Sequence, residues 1–271
     1  MHFARSADGT GIAYRVDSAV PPGQPPRAAV LLQHGLGLDG NAWQGWLAPL
    51  LTAGYLVIRP DLRGHGGSDR PPAGARWSTA LLGEDLTAVL DHAGIGPCHL
   101  VGESWGGTAG LAWAAANPAR VGCMAVMSTT FDGRLIPTIG TFAAIVREQG
   151  IAAWSAMMNE ARFAPGFDPQ VRAWADRVQS ACTPHVICDM CAYVATESIE
   201  PALSAIAAPV LVLAPQGSPF VKAEIAAALA ARLPDAELHR YPGHRHGLVL
   251  SGAEIGAREL VAFLQRRAAQ P

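Results

Sequence analysis

Short apolar runs that end in Gly, Pro or Asp alternate along this chain with longer stretches of helical period. This is the pattern of βαβ units, in which parallel strands are covered by helices on both faces. Two of the runs flank the turn-forming sequence Asp8-Gly9-Thr10-Gly11 and predict an opening hairpin. The predicted strands are 2–5, 12–17, 28–33, 55–59, 98–101, 123–127, 210–214 and 236–241. The pattern therefore predicts an α/β fold with a mostly parallel sheet of about eight strands.

Helical period recurs between the strands, over residues 79–93, 105–116, 222–232 and 253–265. The stretch between the strands at 123–127 and 210–214 is far longer than an ordinary connection of this type, so it must carry structure of its own. We predict that 133–207 forms a helical cap inserted into a core made of 1–132 and 208–271. With 271 residues, half of them apolar, the chain has enough hydrophobic material for this single core.

Composition narrows the classes of partner. A net charge of -2 leaves no basic stripe to neutralise phosphates, so a nucleic-acid partner is not expected. There is no apolar run long enough for a signal peptide or a membrane span, which favours a cytoplasmic protein away from membranes. A small-molecule substrate is the expected partner. Composition predicts no oligomeric state.

The five cysteines are odd in number, and three of them crowd one segment, which is not the spacing of a disulfide framework. Cys182, His185, Cys188 and Cys191 lie within ten positions and cannot easily provide the two separated arms of a structural zinc site. We therefore predict free thiols, no metal and no organic cofactor.

The strongest functional signal is Gly102-Glu103-Ser104-Trp105-Gly106-Gly107, between a predicted strand and an Ala-rich helix. This is the strand-turn-helix context of a nucleophile elbow, in which small flanking residues allow a sharp turn and the helix N-terminus favours negative charge. Ser104 is the predicted nucleophile. A second loop, His34-Gly35-Leu36-Gly37, follows another strand and faces the same sheet edge. The backbone N–H groups of Leu36 and Trp105 are therefore the predicted oxyanion donors.

A serine hydroxyl needs a base with a pKa near 6.5 to remove its proton. The segment Tyr241-Pro242-Gly243-His244-Arg245-His246, just after the last strand, offers His246 for this role. His244 lies in the same loop and is the alternative.

With these motifs the chain resembles, over nearly its whole length, the α/β-hydrolase superfamily of esterase and 3-oxoadipate enol-lactonase-like serine hydrolases. Five pieces carry the resemblance: His34-Gly35 with Trp43 downstream, Asp61 to Ser68, the elbow at Ser104, Pro118, and Pro242-Gly243-x-x-His246. The resemblance implies the α/β-hydrolase fold with a cap and a triad acid in the loop after the seventh strand. That loop here reads Ala214-Pro215-Gln216-Gly217-Ser218, so a serine stands in the acid's place. Some members seat the acid after the sixth strand, which makes Asp132 the candidate; the alternative is that Asp132 caps the first turn of the cap.

The cap is rich in large apolar groups, and we predict that Trp154 and Met158, with Phe220 from the core, bind substrate. The predicted function is hydrolysis of a small, largely apolar ester or lactone through an acyl-enzyme. Hydrolysis of C–C bonds and perhydrolysis use the same residues and stay open. A rival class is a non-catalytic ligand-binding protein on a hydrolase scaffold, which Ser218 favours.

Overall fold

The computed structural model describes residues 1–269, and a single sheet of eight strands organises them in the order β1-β2-β4-β3-β5-β6-β7-β8. The first two strands pair antiparallel with each other, β2 also pairs antiparallel with β4, and all other pairs are parallel. The predicted mostly parallel α/β sheet is therefore confirmed. The strands are β1 (His2–Arg5), β2 (Gly11–Asp17), β3 (Ala29–Gln33), β4 (Leu56–Pro60), β5 (Cys98–Glu103), β6 (Val121–Met127), β7 (Val210–Pro215) and β8 (Ala236–Tyr241).

Helices cover both faces of this sheet and also form a separate layer over one of its edges. They are α1 (Leu47–Thr52), α2 (Thr79–His92), α3 (Trp105–Ala116), α4 (Ile139–Gln149), α5 (Ile151–Arg162), α6 (Pro169–Ser180), α7 (Pro184–Val194), α8 (Ala223–Arg232), α9 (Leu248–Ser251) and α10 (Ala253–Ala268).

Alternation of side chains along the strands decides which helices each face meets. In β3, Leu31 belongs to the apolar cluster on one face of the sheet, which also contains residues of α2, α3 and α8. Its neighbours Val30 and Leu32 point to the other face and pack with residues of α1 and α10. Both faces are apolar because successive side chains of a strand point in opposite directions and both directions are covered here.

The long connection between β6 and β7 holds α4 to α7, which pack on one another. A third apolar cluster joins these helices to the core, with Phe142 and Met158 of the insertion beside Leu36 and Trp105 of the sheet edge. The four helices lie within residues 133–207, whose division from the core as a cap stays a prediction. The insertion lies against the edge at which the parallel strands end.

Some elements differ from the sequence expectation. The predicted helices 79–93, 105–116, 222–232 and 253–265 match α2, α3, α8 and α10 within a few residues. In contrast, α1 and the 3₁₀ turn before it, Gly40–Trp46, were not predicted, because these pieces are too short to show a helical period. Their buried side chains share an apolar cluster with Leu38, which directly follows the predicted oxyanion loop.

The cysteines are all free and all buried. Burial raises the pKa of the Cys98 and Cys182 thiols to about 12, as expected of apolar packing groups. Among residues 1–269 no cluster of three or more His, Cys, Asp or Glu side chains is arranged to hold a metal ion. In the same range no helix is long and apolar enough to cross a membrane.

Candidate active site

Ser104 occupies the turn between β5 and α3. Its φ of 51° lies in the left-handed region, which a non-glycine residue rarely adopts. The turn is tight on both sides: a Cβ atom at Gly102 would lie 2.4 Å from Cα of Gly107, and one at Gly106 would lie 2.3 Å from the carbonyl oxygen of His34. Only glycine fits at these two positions. The strained turn places the serine at the N-terminus of α3, as the motif predicted.

His246 reaches Ser104 from the loop after β8. Its Nε2 lies 3.2 Å from Oγ of Ser104, and the ring is buried with one side against Phe220. Burial and the nearby guanidinium of Arg162 lower the pKa of His246 to about 3, so the imidazole is neutral at physiological pH. A hydroxyl and a neutral imidazole at hydrogen-bonding distance form the pair that base-assisted nucleophilic attack requires.

Ser218 is the residue on the far side of the imidazole. Its Oγ lies 3.2 Å from Nδ1 of His246 and accepts a hydrogen bond from the N–H of Val221. When the hydroxyl of Ser104 donates to Nε2, the proton of the ring is on Nδ1 and Ser218 accepts it. The position after the seventh strand therefore orients the imidazole through a neutral oxygen.

Asp132, the predicted acid, makes no hydrogen bond to the His246 ring within residues 1–269. Its carboxylate accepts hydrogen bonds at 2.9 Å from the backbone N–H and from Nε of Arg134, and it caps the short 3₁₀ helix Gly133–Leu135. The Arg134 guanidinium lowers the pKa of Asp132. The chain bends just after Asp132, so that Arg134, two residues later, bonds its carboxylate. The capping alternative is the arrangement that the structure has.

His244, the alternative base, points elsewhere. Its Nδ1 lies 3.0 Å from Oγ of Ser251, and its ring lines a surface groove between α1 and α10. The geometry therefore favours His246 as the partner of Ser104.

The predicted oxyanion donors are free. In the range 1–269, the backbone N–H groups of Leu36 and Trp105 donate to no protein acceptor. The loop that carries Leu36 is fixed by His34, whose Nε2 accepts from the N–H of Leu62 and whose Nδ1 lies 2.8 Å from the carbonyl oxygen of Gly35. This pattern puts the proton on Nδ1. Burial lowers the pKa of His34 to about 4, so His34 acts as a neutral structural group.

A buried ion pair lies beside the nucleophile, and sequence reasoning did not find its role. Glu103 and Arg162 are 0% and 1% exposed, and Nη1 of Arg162 lies 3.3 Å from Oε1 of Glu103. The other carboxylate oxygen, Oε2, accepts a hydrogen bond of 2.8 Å from the N–H of Gly35. Burial raises the pKa of Glu103, and the bonds from Arg162 and Gly35 oppose that rise. A charged residue at the end of a buried strand was the only sequence signal for this pair.

A small cavity of about 40 Å³ lies over Ser104. Of the residues predicted to bind substrate, Met158 and Phe220 line it. Trp154 does not; it is fully buried, and its ring packs under the oxyanion loop so closely that a Cβ atom at Gly37 would lie 2.5 Å from it. The structure adds five lining residues from the insertion that were not predicted: Ile136, Ile139, Phe142, Arg162 and Val194.

Comparison with known proteins identifies the family to which the chain belongs. A family model described as the alpha/beta hydrolase fold matches residues 28–253. A putative carbamate hydrolase RutD from Variovorax paradoxus (strain S110) is 34% identical over 256 residues, which cover 88% of this chain and 92% of that protein.

Two further comparisons agree on the fold. A 2-hydroxy-6-oxononadienedioate/2-hydroxy-6-oxononatrienedioate hydrolase from Cupriavidus pinatubonensis (strain JMP 134 / LMG 1197) is 29% identical over 255 residues, covering 87% of this chain and 86% of that protein. The structure of the enol-lactonase from Burkholderia xenovorans LB400 superposes with a TM-score of 0.86 at 23% identity, covering 97% of this chain and 100% of that one. The chain belongs to the α/β-hydrolase family, and it is a hydrolase.

Proposed function

We propose that the chain is a serine hydrolase that cleaves a small, neutral carboxylic ester or lactone through an acyl-enzyme. The observation that carries the proposal is the 3.2 Å contact between Oγ of Ser104 and Nε2 of His246 under a small cavity. The N–H groups of Leu36 and Trp105 lie beside it and donate to no acceptor in the described part of the chain. Burial of the ester's acyl group beside Phe220 and Met158 would place its carbonyl carbon near Oγ of Ser104.

In the proposed reaction, His246 accepts the hydroxyl proton as Oγ of Ser104 attacks the carbonyl carbon. The oxyanion accepts hydrogen bonds from the N–H groups of Leu36 and Trp105. The intermediate collapses, and the leaving alcohol takes the proton from His246. Water then gives a proton to His246 and attacks the acyl carbon, and Ser104 regains its proton as the acid leaves.

The charges around the cavity favour a neutral substrate. Among residues 1–269, Arg162 is the one cation that lines the cavity, and Glu103 pairs with it. A substrate carboxylate would therefore meet a guanidinium whose charge is compensated, and would have to give up its hydration. The relative from Cupriavidus pinatubonensis is named for dioate substrates. The present site lacks an uncompensated cation for such groups among the residues that line it.

The size of the cavity favours a short acyl chain. A volume of about 40 Å³ holds only a few water molecules, which suits an acyl group of acetyl to butyryl size. Each methylene that fits in the cavity contributes about 0.8 kcal/mol to binding. An acyl chain long enough to meet the apolar side chains at the end of the cavity gains no further binding free energy.

Two matched substrates test the proposal. We expect p-nitrophenyl butyrate to be hydrolysed with a kcat/KM at least about tenfold above that of p-nitrophenyl hemisuccinate, which has similar size and carries a carboxylate. A chain-length series from acetate to decanoate should show a maximum at short chains. Preference for the hemisuccinate, or a flat series, would contradict the proposed substrate class. Ser104→Ala provides the background rate.

A second candidate is a ligand-binding protein on the same scaffold, and Ser218 is the observation that favours it. Loss of the triad carboxylate can cost about 10⁴ in rate. If the purified protein hydrolyses no ester, carbamate or C–C substrate above the Ser104→Ala background, binding without turnover replaces the enzymatic proposal. Perhydrolysis is examined in the same assay by adding hydrogen peroxide.

A further inference from the structure

Side-chain hydrogen bonds of His34, Glu103 and Arg162 hold the peptide groups on either side of Leu36. The N–H of Gly35 donates to Oε2 of Glu103 at 2.8 Å, the carbonyl of Gly35 lies 2.8 Å from Nδ1 of His34, and the carbonyl of Leu36 accepts from Nη2 of Arg162 at 2.7 Å. The N–H of Leu36 has no acceptor among the residues that the structure describes. These three bonds therefore set the direction in which that N–H points.

Two of the three bonds come from the ion pair of Glu103 and Arg162, whose burial costs free energy. Removing a carboxylate and a guanidinium from water costs free energy that their attraction only partly offsets. A hydrophobic pair of the same size would serve stability equally well or better. The guanidinium is the better group for a geometric task, because its planar fork holds three acceptors in fixed directions. Here these acceptors are Glu103, the Leu36 carbonyl and Oε1 of Gln179.

The same turn at the end of α5 also holds the loop of the base. The carbonyl oxygen of Ala161 accepts from the N–H of His246 at 3.2 Å, and that of Arg162 accepts from the N–H of Gly247 at 3.0 Å. The approach is close, since a Cβ atom at Gly247 would lie 2.9 Å from the Arg162 carbonyl oxygen. One turn of the insertion is thus bonded to the base loop and to the oxyanion loop.

We propose that Arg162 is a positioning residue, which with Glu103 aims the N–H of Leu36 at the oxyanion and transmits the placement of the cap to that donor. This inference rests on the proposed serine hydrolase mechanism. Arg162 lines the cavity, but its guanidinium is bonded to Gln179, Glu103 and the Leu36 carbonyl, so its removal should affect the transition state more than ground-state binding.

The test compares four proteins: wild type, Glu103→Gln/Arg162→Met, Arg162→Lys and the control Arg172→Met. The double variant removes both charges together, so neither is left buried alone. Arg172 lies on α6 and pairs with Glu160 at the surface, so its variant removes a cap arginine outside the site. Each protein is assayed for kcat and KM with a short p-nitrophenyl ester, and for inhibition by a trifluoromethyl ketone that forms a tetrahedral adduct.

We expect the double variant to lose about 10- to 100-fold in kcat with a KM within about threefold of wild type, and to bind the ketone more weakly by a similar factor. Arg162→Lys should recover part of this loss, because an ammonium can still bond the Leu36 carbonyl but lacks the fork. Arg172→Met should match wild type. An unchanged kcat, or a rise in KM alone, in the folded double variant would overturn the proposal.

Hydrogen exchange separates failure of this inference from failure of the proposed function. If wild type hydrolyses no ester, the enzymatic proposal fails. Amide exchange in residues 33–38 then tests whether Arg162 and Glu103 hold the Leu36 loop, an arrangement that we call the clamp. Exchange at least about tenfold faster in the double variant than in Arg172→Met supports the clamp. Equal exchange refutes it. If the double variant does not fold, Arg162→Lys decides by the same two measurements.

Discussion

The hydroxyl oxygen of Ser218 lies 3.2 Å from Nδ1 of His246, on the side of the imidazole where hydrolases of this family usually place a carboxylate. The contact fixes the orientation of the ring but provides no negative charge to the imidazolium that forms during attack. Burial and Arg162 further disfavour that cation and lower the pKa of His246 to about 3. The site therefore has the geometry of a triad without its charge.

Ser218→Asp should increase kcat about 10- to 100-fold, because a carboxylate stabilises the imidazolium as it forms. The same carboxylate raises the pKa of His246. Since the base works only when unprotonated, kcat/KM of wild type should stay flat from pH 8 to pH 5 and fall only at lower pH, whereas the variant should lose activity as pH falls below about 6.5. Steady-state profiles of both proteins measure this. A fall of wild-type kcat/KM below about pH 6.5 would show that the pKa of His246 is not lowered.

Ser104→Ala should abolish turnover and labelling by a fluorophosphonate while the far-UV spectrum and the melting temperature stay close to wild type. The strained backbone at Ser104 depends on Gly102 and Gly106 and not on the hydroxyl. Mass spectrometry of labelled wild-type protein identifies the modified residue. Retained hydrolysis in a pure sample of the variant would place the nucleophile elsewhere.

His246→Ala should lower kcat by about 10³-fold or more, and His244→Ala by less than about threefold. The reason is that His246 faces Ser104, whereas His244 bonds Ser251 beside a different groove. Parallel kinetics of the two variants decide between them. The reverse ranking would reassign the base to His244.

Asp132→Ala should cost about 1 kcal/mol of stability and change kcat by less than about threefold, because Asp132 caps a 3₁₀ turn and does not reach the imidazole. Asp132→Asn keeps a capping side chain and serves as the matched control, with a smaller loss of stability. Urea unfolding and ester turnover give the two quantities. A drop in kcat of several orders of magnitude in either variant would restore Asp132 as the acid.

Stability should fall as the pH drops from 6.5 toward 4. Three histidines are buried as neutral groups, with burial as the main cause: the pKa is lowered to about 4 for His34 and His65 and to about 3 for His246. In the unfolded chain these histidines take up protons below pH 6.5, whereas in the folded protein they do not. Lowering the pH therefore stabilises the unfolded state relative to the folded state. Between pH 7 and pH 5 each of these histidines lowers the free energy of unfolding by roughly 2 kcal/mol.

Urea unfolding at the two pH values measures this loss, and His65→Gln should reduce it by roughly 2 kcal/mol. An unfolding free energy that is the same at pH 7 and pH 5 would contradict the assignment of neutral histidines. The carboxylates with lowered pKa, Asp8 and Asp132, titrate below this window.

Much of the fold and the placement of Ser104 and His246 could be predicted because local patterns specify them. The apolar runs, the glycines around Ser104 and the histidine after β8 are constrained by neighbours in sequence, and the strands and elbow appear where these patterns place them. The short α1 has too few residues for a periodic signal.

The acid and the ion pair depend instead on contacts between distant parts of the chain. Asp132 follows a strand at the correct sheet edge, yet an arginine two residues later takes its carboxylate. Glu103 and Arg162 are 59 positions apart and meet only because α5 folds back over the elbow. Sequence spacing alone carries no information on such meetings.

The bonded turn at the end of α5 limits how the substrate range of this hydrolase can be redesigned. Exchanging the whole insertion for that of a relative would replace the turn that positions two backbone carbonyl acceptors for the base loop and a guanidinium for the Leu36 carbonyl. A chimera would then lose rate even if its new cavity fitted the substrate. Libraries aimed at larger esters should therefore vary Ile136, Ile139 and Phe142 and leave Ala161 and Arg162 as they are.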